Sequence, residues 1–510
     1  MMNDMEKSDP LILPMKPSNK AGQTVAEVVE GSGGPKSHAS KQSTGRTQSR
    51  VAVSQAQARI GGAVTRNKQE KLTALLHHVN VAALRAAYLG LKKRAAPGVD
   101  GVTWDQYGED LEANLVDLHA RVHRGTYRAL PSRRRYIPKM DGRQRPLGIA
   151  ALEDKIVQAA VVAILTPVYE AEFLGFSYGF RPRRSQHDAL DALAYGIKTR
   201  KVCWILDADI RSFFDELSRE CLVRFLEHRI KDRRIIRLIQ KWMKAGVLEE
   251  GKEIETAAGT PQGSVASPLL ANVYLHYVYD LWVDQWRRRH CAGDMIVVRY
   301  ADDTIVGFQH RQDAERFQED LKERLAQFAL NLHPEKTRLI EFGKEAAERR
   351  AKRGEGKPET FSFLGFQHYC GVKRNGGSFQ LGRKIEGKRI RLKLREIKEE
   401  LRRRRHASTD EQGHWLGMVM RGYFAYFAVP TNSRSLFAFR RRVSMLWLHS
   451  LRRRSQRHRL PWTRMRTLVD RFLPPARILH PWPEQRFRLR HSKEEPYARM
   501  GRVRICAGGA

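Results

Sequence analysis

MIVVRYADDTIVGF (Met295–Phe308) sets two apolar, β-branched runs on either side of Ala301, Asp302 and Asp303. Runs of this kind read as strands, so the pattern predicts a β-hairpin with adjacent acids at its tip. A solvated acidic turn usually carries Gly or Asn, and Tyr300-Ala-Asp-Asp has neither. VCWILDADIRSFFDEL (Val202–Leu217) carries the second informative acids. Val202–Leu206 read as a buried strand, with Asp207, Asp209 and Asp215 following among aromatics. Alternate residues of a strand share a face, so Asp207 and Asp209 point the same way. Two acids there need a cation or solvent. A strand end and a hairpin tip can lie side by side in one antiparallel sheet. Asp209, Asp302 and Asp303 would then converge, and their repulsion would demand a divalent cation. Oxygen-only ligands select Mg²⁺, with Mn²⁺ able to substitute, over zinc. Two such ions form the clamp used for nucleotidyl transfer.

Upstream, RRRYIPKMDGRQRPLGI (Arg133–Ile149) reads as a basic hairpin turning at Asp141-Gly142, with Lys139 and Arg145 on facing strands. Such a pair suits a triphosphate, and a solvated charged turn is an equal reading of that stretch alone. GTPQGSVASPLLAN (Gly259–Asn272) is a Gly/Pro loop feeding an apolar helix that Ser264 or Ser267 could cap. A helical stretch is expected over 220–247. Residues 1–67 are rich in Ser, Gly, Lys, Gln and Ala, and are expected to be disordered or loosely ordered.

The chain has 510 residues, with 93 Lys and Arg against 56 Asp and Glu, a net charge of +37. Self-repulsion of that size is offset by a polyanion, which puts nucleic acid first and an anionic membrane surface second. No run of about 18 apolar residues exists, which excludes a membrane-spanning protein. Five scattered cysteines without a C-x-x-C pair argue against a disulfide scaffold or a Cys-rich zinc module. Residues 381–510 carry 33 basic and 10 acidic residues, more than half of the excess. Arginines there interleave with aromatics at helical spacing, which suits a helical bundle with a nucleic-acid surface. Its runs are Arg402, Arg403, Arg404, Arg405 and Arg452, Arg453, Arg454.

Seven blocks in order resemble the reverse transcriptases encoded by bacterial group II introns, which also act as maturases. They are YIPKMDGRQRPLGI, SYGFRPRRS, DADIRSFFD, GTPQGSVASPLLAN, YADD, LNLHPEKTRLIEF and FSFLGF. The resemblance implies an α+β, right-hand polymerase fold, its fingers and palm built on antiparallel sheet, followed by an α-helical thumb/maturase domain. It divides the chain into a helical extension of the fingers (68–130), fingers and palm (131–370), thumb/maturase (371–475) and a basic tail (476–510) as candidate DNA-binding segment. It makes Asp209, Asp302 and Asp303 the catalytic acids, with the Ile210 carbonyl as an added ligand for two Mg²⁺ ions. It assigns Lys139 and Arg145 to the incoming triphosphate, Phe214 to the sugar C2′ and Gln262 to the nucleotide and templating pair. Lys336 is implied to protonate pyrophosphate, while Asp207 and Asp215 flank the motif and need not bind metal.

Two departures are small: Ser264 and Ala266 stand where the family has Gly and a larger aliphatic. No HNH endonuclease is expected, since the end of the chain has one cysteine. The implied partners are group II intron RNA in a ribonucleoprotein, a DNA target and primer, and dNTPs. No membrane is implied, and the oligomeric state is left open. The implied setting is the bacterial cytoplasm, on RNA and nucleoid DNA. A splicing-only maturase and a reverse transcriptase recruited to host defence are the competing readings, and the intact acids count against the first.

Overall fold

The computed structural model describes residues 39–67, 71–138, 144–249, 252–254, 263–373, 376–454 and 460–491. Strands β1 (Ser132–Pro138) and β2 (Gln144–Ile149) pair antiparallel, with Ile137 opposite Arg145. The central sheet is built from β3 (Trp204–Asp209), β6 (Met295–Tyr300), β7 (Asp303–Phe308) and β8 (Arg338–Glu341). Its order is β6-β7-β3-β8 and every pairing in it is antiparallel. The short strands β4 (Val247–Glu249) and β5 (Lys252–Ile254) extend the β1–β2 sheet, with β4 parallel to β1. A third sheet holds β9 (Phe361–Phe363), β10 (Phe366–Val372) and β11 (Phe379–Ile385). The architecture is α+β.

Both faces of the central sheet are covered, because alternate strand residues feed two cores. Leu206, Val297 and Val306 join one core. Ile205, Ile296, Val298 and Ile305 join the other. On the first side lie α1 (Ala39–Arg66), α2 (Val81–Gly90), α3 (Leu111–Arg124) and α4 (Leu152–Glu170). On the second, α5 (Gln186–Thr199) packs on β6. It starts in a capping box, the Ser185 hydroxyl accepting from Asp188 N–H while the Asp188 carboxylate accepts from Ser185 N–H. Gly196 lets it close on the sheet, since a Cβ there would stand 2.9 Å from Ile296.

Several expectations are corrected. Residues 39–66, inside the stretch expected to be loosely ordered, form α1, whose buried Ile60 and Val64 pack into the first core. Composition missed it because few apolar residues suffice when a larger core receives them. The stretch 220–247 is two helices, α6 (Arg219–Arg229) and α7 (Arg233–Lys244), parted at Ile230–Asp232. There Ile230 and Leu72 form a parallel bridge, and Asp232 caps α7. Neither expected serine caps α8 (Ser267–Leu275): Ser267 is already helical, and Ser264 Oγ donates to Gln158 instead. Beyond α8 the helix widens into a π turn over His276–Asp280, then continues as α9 (Leu281–His290). After α10 (Arg311–Ala326) and the third sheet comes a helical region. It comprises α11 (Gly387–Arg403), α12 (Thr409–Phe427), α13 (Ser433–Arg452) and α14 (Trp462–Phe472), all sharing the second core. Within the basic tail, α15 (Pro483–His491) lies on α5, with Phe487 stacked on Tyr195 and Arg486 paired with buried Asp191. No described helix is long and apolar enough to cross a membrane.

Candidate active site at the end of the central sheet

The β3–β7 register sets Asp209 directly opposite Asp303, and the β6–β7 hairpin sets Tyr300 opposite Asp303. The ladder ends at that pair, with Ile210 following Asp209 and bridged to Leu332. The direction of the Ile210 carbonyl follows from its neighbours. Asp209 C=O accepts from His333 N–H (2.7 Å) and Arg211 N–H donates to Asn331 (2.8 Å), both on the β8 side. Peptide groups alternate along a strand, so the Ile210 carbonyl faces the other edge, the β7 side. Asp302 Oδ1 is buried and has no hydrogen-bond partner among the described residues. Asp209 Oδ2 accepts from Lys336 Nζ at 2.8 Å.

Burial pushes the Asp302 carboxyl above the usual carboxylate range, Asp209 adds to the shift and Arg145 opposes it. The Arg145 guanidinium therefore acts on the acid site from β2. Burial followed by Asp302 and Asp209 pushes Asp303 well upward. A buried carboxylate oxygen without a partner among the described residues, beside two further acids, fits an oxygen-preferring divalent cation. The side chains do not form a ready cage: among the described residues no three His, Cys, Asp or Glu are gathered tightly enough to hold a metal ion. The Lys336 ammonium on Asp209 does part of that neutralising.

Asp207 lies on the same face, pushed up to about 7 by burial first, with Asp209 adding and Arg338 opposing. A carboxyl raised in the folded state keeps a proton that the unfolded chain releases near pH ~4. Its contribution to stability is full below that pH and is lost as pH rises through about 7. Asp207→Asn should therefore change little near pH ~4 and stabilise above pH ~7. Thermal unfolding in EDTA at the two pH values checks this; an equal effect at both would remove the titration as its cause.

The turn that presents Asp302 is held from beneath by Arg299, which sequence reasoning missed. Arg299 is 1% exposed. Its Nε and Nη2 donate to Asp280 Oδ1 (2.7 Å) and Oδ2 (2.6 Å). Nη1 donates to Asn272 Oδ1 (3.1 Å) and the Ala301 carbonyl (2.8 Å), and Nη2 also to Ser177 Oγ (2.6 Å). Ala301 sits at φ +54°, a left-handed conformation that costs a non-glycine residue energy. Gly179 completes the support: a Cβ there would strike the Ala301 amide, and its carbonyl accepts from Asn272 Nδ2 at 2.7 Å. Burial holds neighbouring His276 down to about 4, so at neutral pH its ring brings no second cation to Asp280. Asn272, Asp280 and Ser177 come from α8, the π turn and the SYGF loop, so three distant motifs meet on one guanidinium. A lone arginine in an apolar strand was the available signal, since only a buried partner justifies it.

The other expected residues are brought together in part. Phe214 is buried beside Phe213, ring centroids 5.2 Å apart, in the short helical turn after β3. Asp215 on the same turn is exposed. Lys139 and Gln262 lie outside the described residues. Gly263, next to Gln262, takes φ +100° and packs on the Gly148 carbonyl, so this end of the PQG loop abuts β2. The two arginine runs meet at the C-terminal ends of α11 and α13, where Arg454 donates to the Ala407 carbonyl. Arg402 and Arg453 are exposed, whereas Arg404 pairs with Glu400 and covers Trp415. Arg452 donates to the Leu460 carbonyl, and Arg403 and Arg405 complete the cluster.

Residues 137–368 match the family described as reverse transcriptase (RNA-dependent DNA polymerase). The chain is similar to Protein YkfC of Escherichia coli (strain K12), 40% identical over 197 residues, 38% of this chain and 51% of that protein. It is similar to the group II intron-encoded protein LtrA of Lactococcus lactis subsp. cremoris, 35% identical over 219 residues, 42% of this chain and 36% of that protein. It is also 42% identical over 146 residues to an uncharacterized 91 kDa protein in cob intron of Schizosaccharomyces pombe, 29% of this chain and 18% of that protein. The chain thus spans about half, or less, of the length of these relatives. The opposed acids of β3 and β7 lie inside the matched segment, so the part of this chain that is similar to the reverse transcriptase family contains the candidate site.

Proposed function

We propose that the chain is an RNA-directed DNA polymerase of a group II intron that copies intron RNA into DNA and, as a maturase, binds and helps splice that RNA. One observation carries the reading: the Asp302 carboxylate oxygen, buried and without a partner among the described residues, lies next to the opposed Asp209 and Asp303. In a right-hand polymerase reading, the central sheet is the palm, the β1–β2 hairpin belongs to the fingers, and α11–α14 are the thumb. Asp209, Asp302, Asp303 and the Ile210 carbonyl would hold two Mg²⁺ ions. When bound, these ions would lower the pKa of the primer 3′-hydroxyl and neutralise the leaving pyrophosphate.

The protein's own groups position and shield. Arg145, with Lys139, would hold the triphosphate of the incoming dNTP as a charged clamp. Gln262 would sit beside the nucleotide and templating pair. Lys336, whose ammonium donates to Asp209, would give a proton to the departing pyrophosphate. The arginine cluster at the ends of α11 and α13 would hold RNA by its phosphates, in a ribonucleoprotein that acts on a DNA target in the bacterial cytoplasm. Primer extension by the purified chain on a primed RNA template with dNTPs and Mg²⁺ tests the proposal. Binding of the primed template without any extension would refute it.

Phe214 would act as the steric gate against a ribose 2′-hydroxyl. Phe214→Ala should raise the kcat/KM for ribonucleotides relative to deoxynucleotides by about tenfold or more. Incorporation assays with matched rNTP and dNTP check this, and an unchanged ratio would return Phe214 to plain core packing.

A further inference from the structure

We infer that the solvent face of α7 is an RNA-docking surface that grips the phosphate backbone of folded RNA, apart from the arginine cluster of α11 and α13. The inference rests on the proposed function and names a second place where RNA is held.

The sequence of α7, RRIIRLIQKWMK, has five cations and no acid. Ile235, Ile236, Leu238, Ile239, Trp242 and Met243 are buried in the first core. The opposite face presents Arg233, Arg237 and Lys244, all exposed. On α10, by contrast, exposed cations are paired: Arg311 with Glu315, Arg316 with Asp320 and Lys322 with Glu319. Among the described residues, Arg233, Arg237 and Lys244 have no ion pair or hydrogen bond from their side chains. The nearest acid in sequence, Asp232, is committed: its carboxylate accepts from the backbone of Leu75, Leu76 and Arg234 and from the Arg234 guanidinium.

This arrangement opposes the helix that carries it. Arg233 and Arg237 stand at i,i+4, as do Arg237 and Lys241, and like charges at that spacing destabilise a helix. Two arginines in the first turn also face the positive end of the helix dipole. The fold gains nothing from such a pattern, whereas a polyanion neutralises it. The cations from Arg233 to Lys244 span about 16 Å of rigid helix. The patch continues beyond it: Lys241 Nζ donates to the carbonyls of Gly125 and Tyr127, drawing exposed Arg124 and Arg128 alongside. An interfacial membrane helix would need its apolar face free to enter lipid. The apolar face of α7 is spent in the core, so RNA phosphate is the fitting partner. The arginine cluster of α11 and α13 is built on the other core, so the two surfaces are carried by different parts of the fold.

The test compares the full chain with Arg233→Glu/Arg237→Glu/Lys244→Glu and with the matching Gln triple variant. The probes are a folded group II intron transcript, a short primed oligoribonucleotide and phosphatidylserine vesicles. The Glu variant should bind the folded transcript about tenfold or more weakly, and the Gln variant should lose about three from the slope of log K against log salt. Primer extension on the short template and the circular dichroism spectrum should stay as in wild type. Wild-type affinity and slope in both variants would overturn the proposal. So would a loss confined to vesicles, which makes the face a lipid contact, or an equal loss on short and long RNA. If the Glu variant misfolds, the Gln variant decides. If the wild type extends no primer, the polymerase reading fails, and the RNA affinities still decide the docking surface.

Discussion

Asp302→Ala is expected to lower primer extension by roughly 10³-fold or more, because it removes a carboxylate that would hold the Mg²⁺ whose charge stabilises the transition state of phosphoryl transfer. It should not cost stability. Asp302 Oδ1 is buried without a hydrogen-bond partner among the described residues, and burial and Asp209 already disfavour its charge. Alanine relieves that desolvation and the repulsion on Asp303. The thermal midpoint without divalent ions should therefore hold or rise while activity vanishes. Binding of intron RNA should survive, since the arginine surfaces lie elsewhere. Extension assays, thermal unfolding in EDTA and filter binding check the three parts. Persistent extension would sink the assignment of the acids, and a falling midpoint would sink the account of their electrostatics.

Arg299→Leu is expected to have the largest effect on folding. Removing one partner of a buried pair leaves the other uncompensated, at a cost of about 3–5 kcal/mol. Asp280, 0% exposed, would be that charge. A stability effect alone would say nothing about the turn, so the informative variant is Arg299→Leu/Asp280→Leu. Replacing both members of a buried pair by apolar residues restores much of the loss. The double variant should recover its thermal midpoint and remain poor in extension. The Ala301 carbonyl and Ser177 Oγ would still lack their donor, and the positive-φ turn its support. Recovery of extension together with stability would reduce Arg299 to a structural residue.

The sequence alone carried the acids, because chemistry was written in local pattern. The strand-turn-strand of Met295–Phe308 and the strand end at Asp209 follow from period-two hydrophobicity, and both are strands in the fold. The hairpin holding Arg145 was legible from its turn residues in the same way. Local pattern does not report what a distant segment supplies. The stretch 39–66 looked too polar to fold, and the core beneath α1 is made by residues far along the chain. Ser264 looked like a cap, and Gln158, distant in sequence, took its hydroxyl.

The residue types for the proposed chemistry, and the pairing of acids with basic surfaces, were thus determined by sequence. Only the tertiary structure decided that Asp209 faces Asp303, that the Ile210 carbonyl points away from the β8 side, and that Arg299 binds three remote motifs to one turn. The reason is physical. Strand register, peptide direction and the satisfaction of a buried guanidinium are long-range conditions, met when separate segments share one low-dielectric interior. Hydrophobic period and turn chemistry act within a few residues and can be read where they stand.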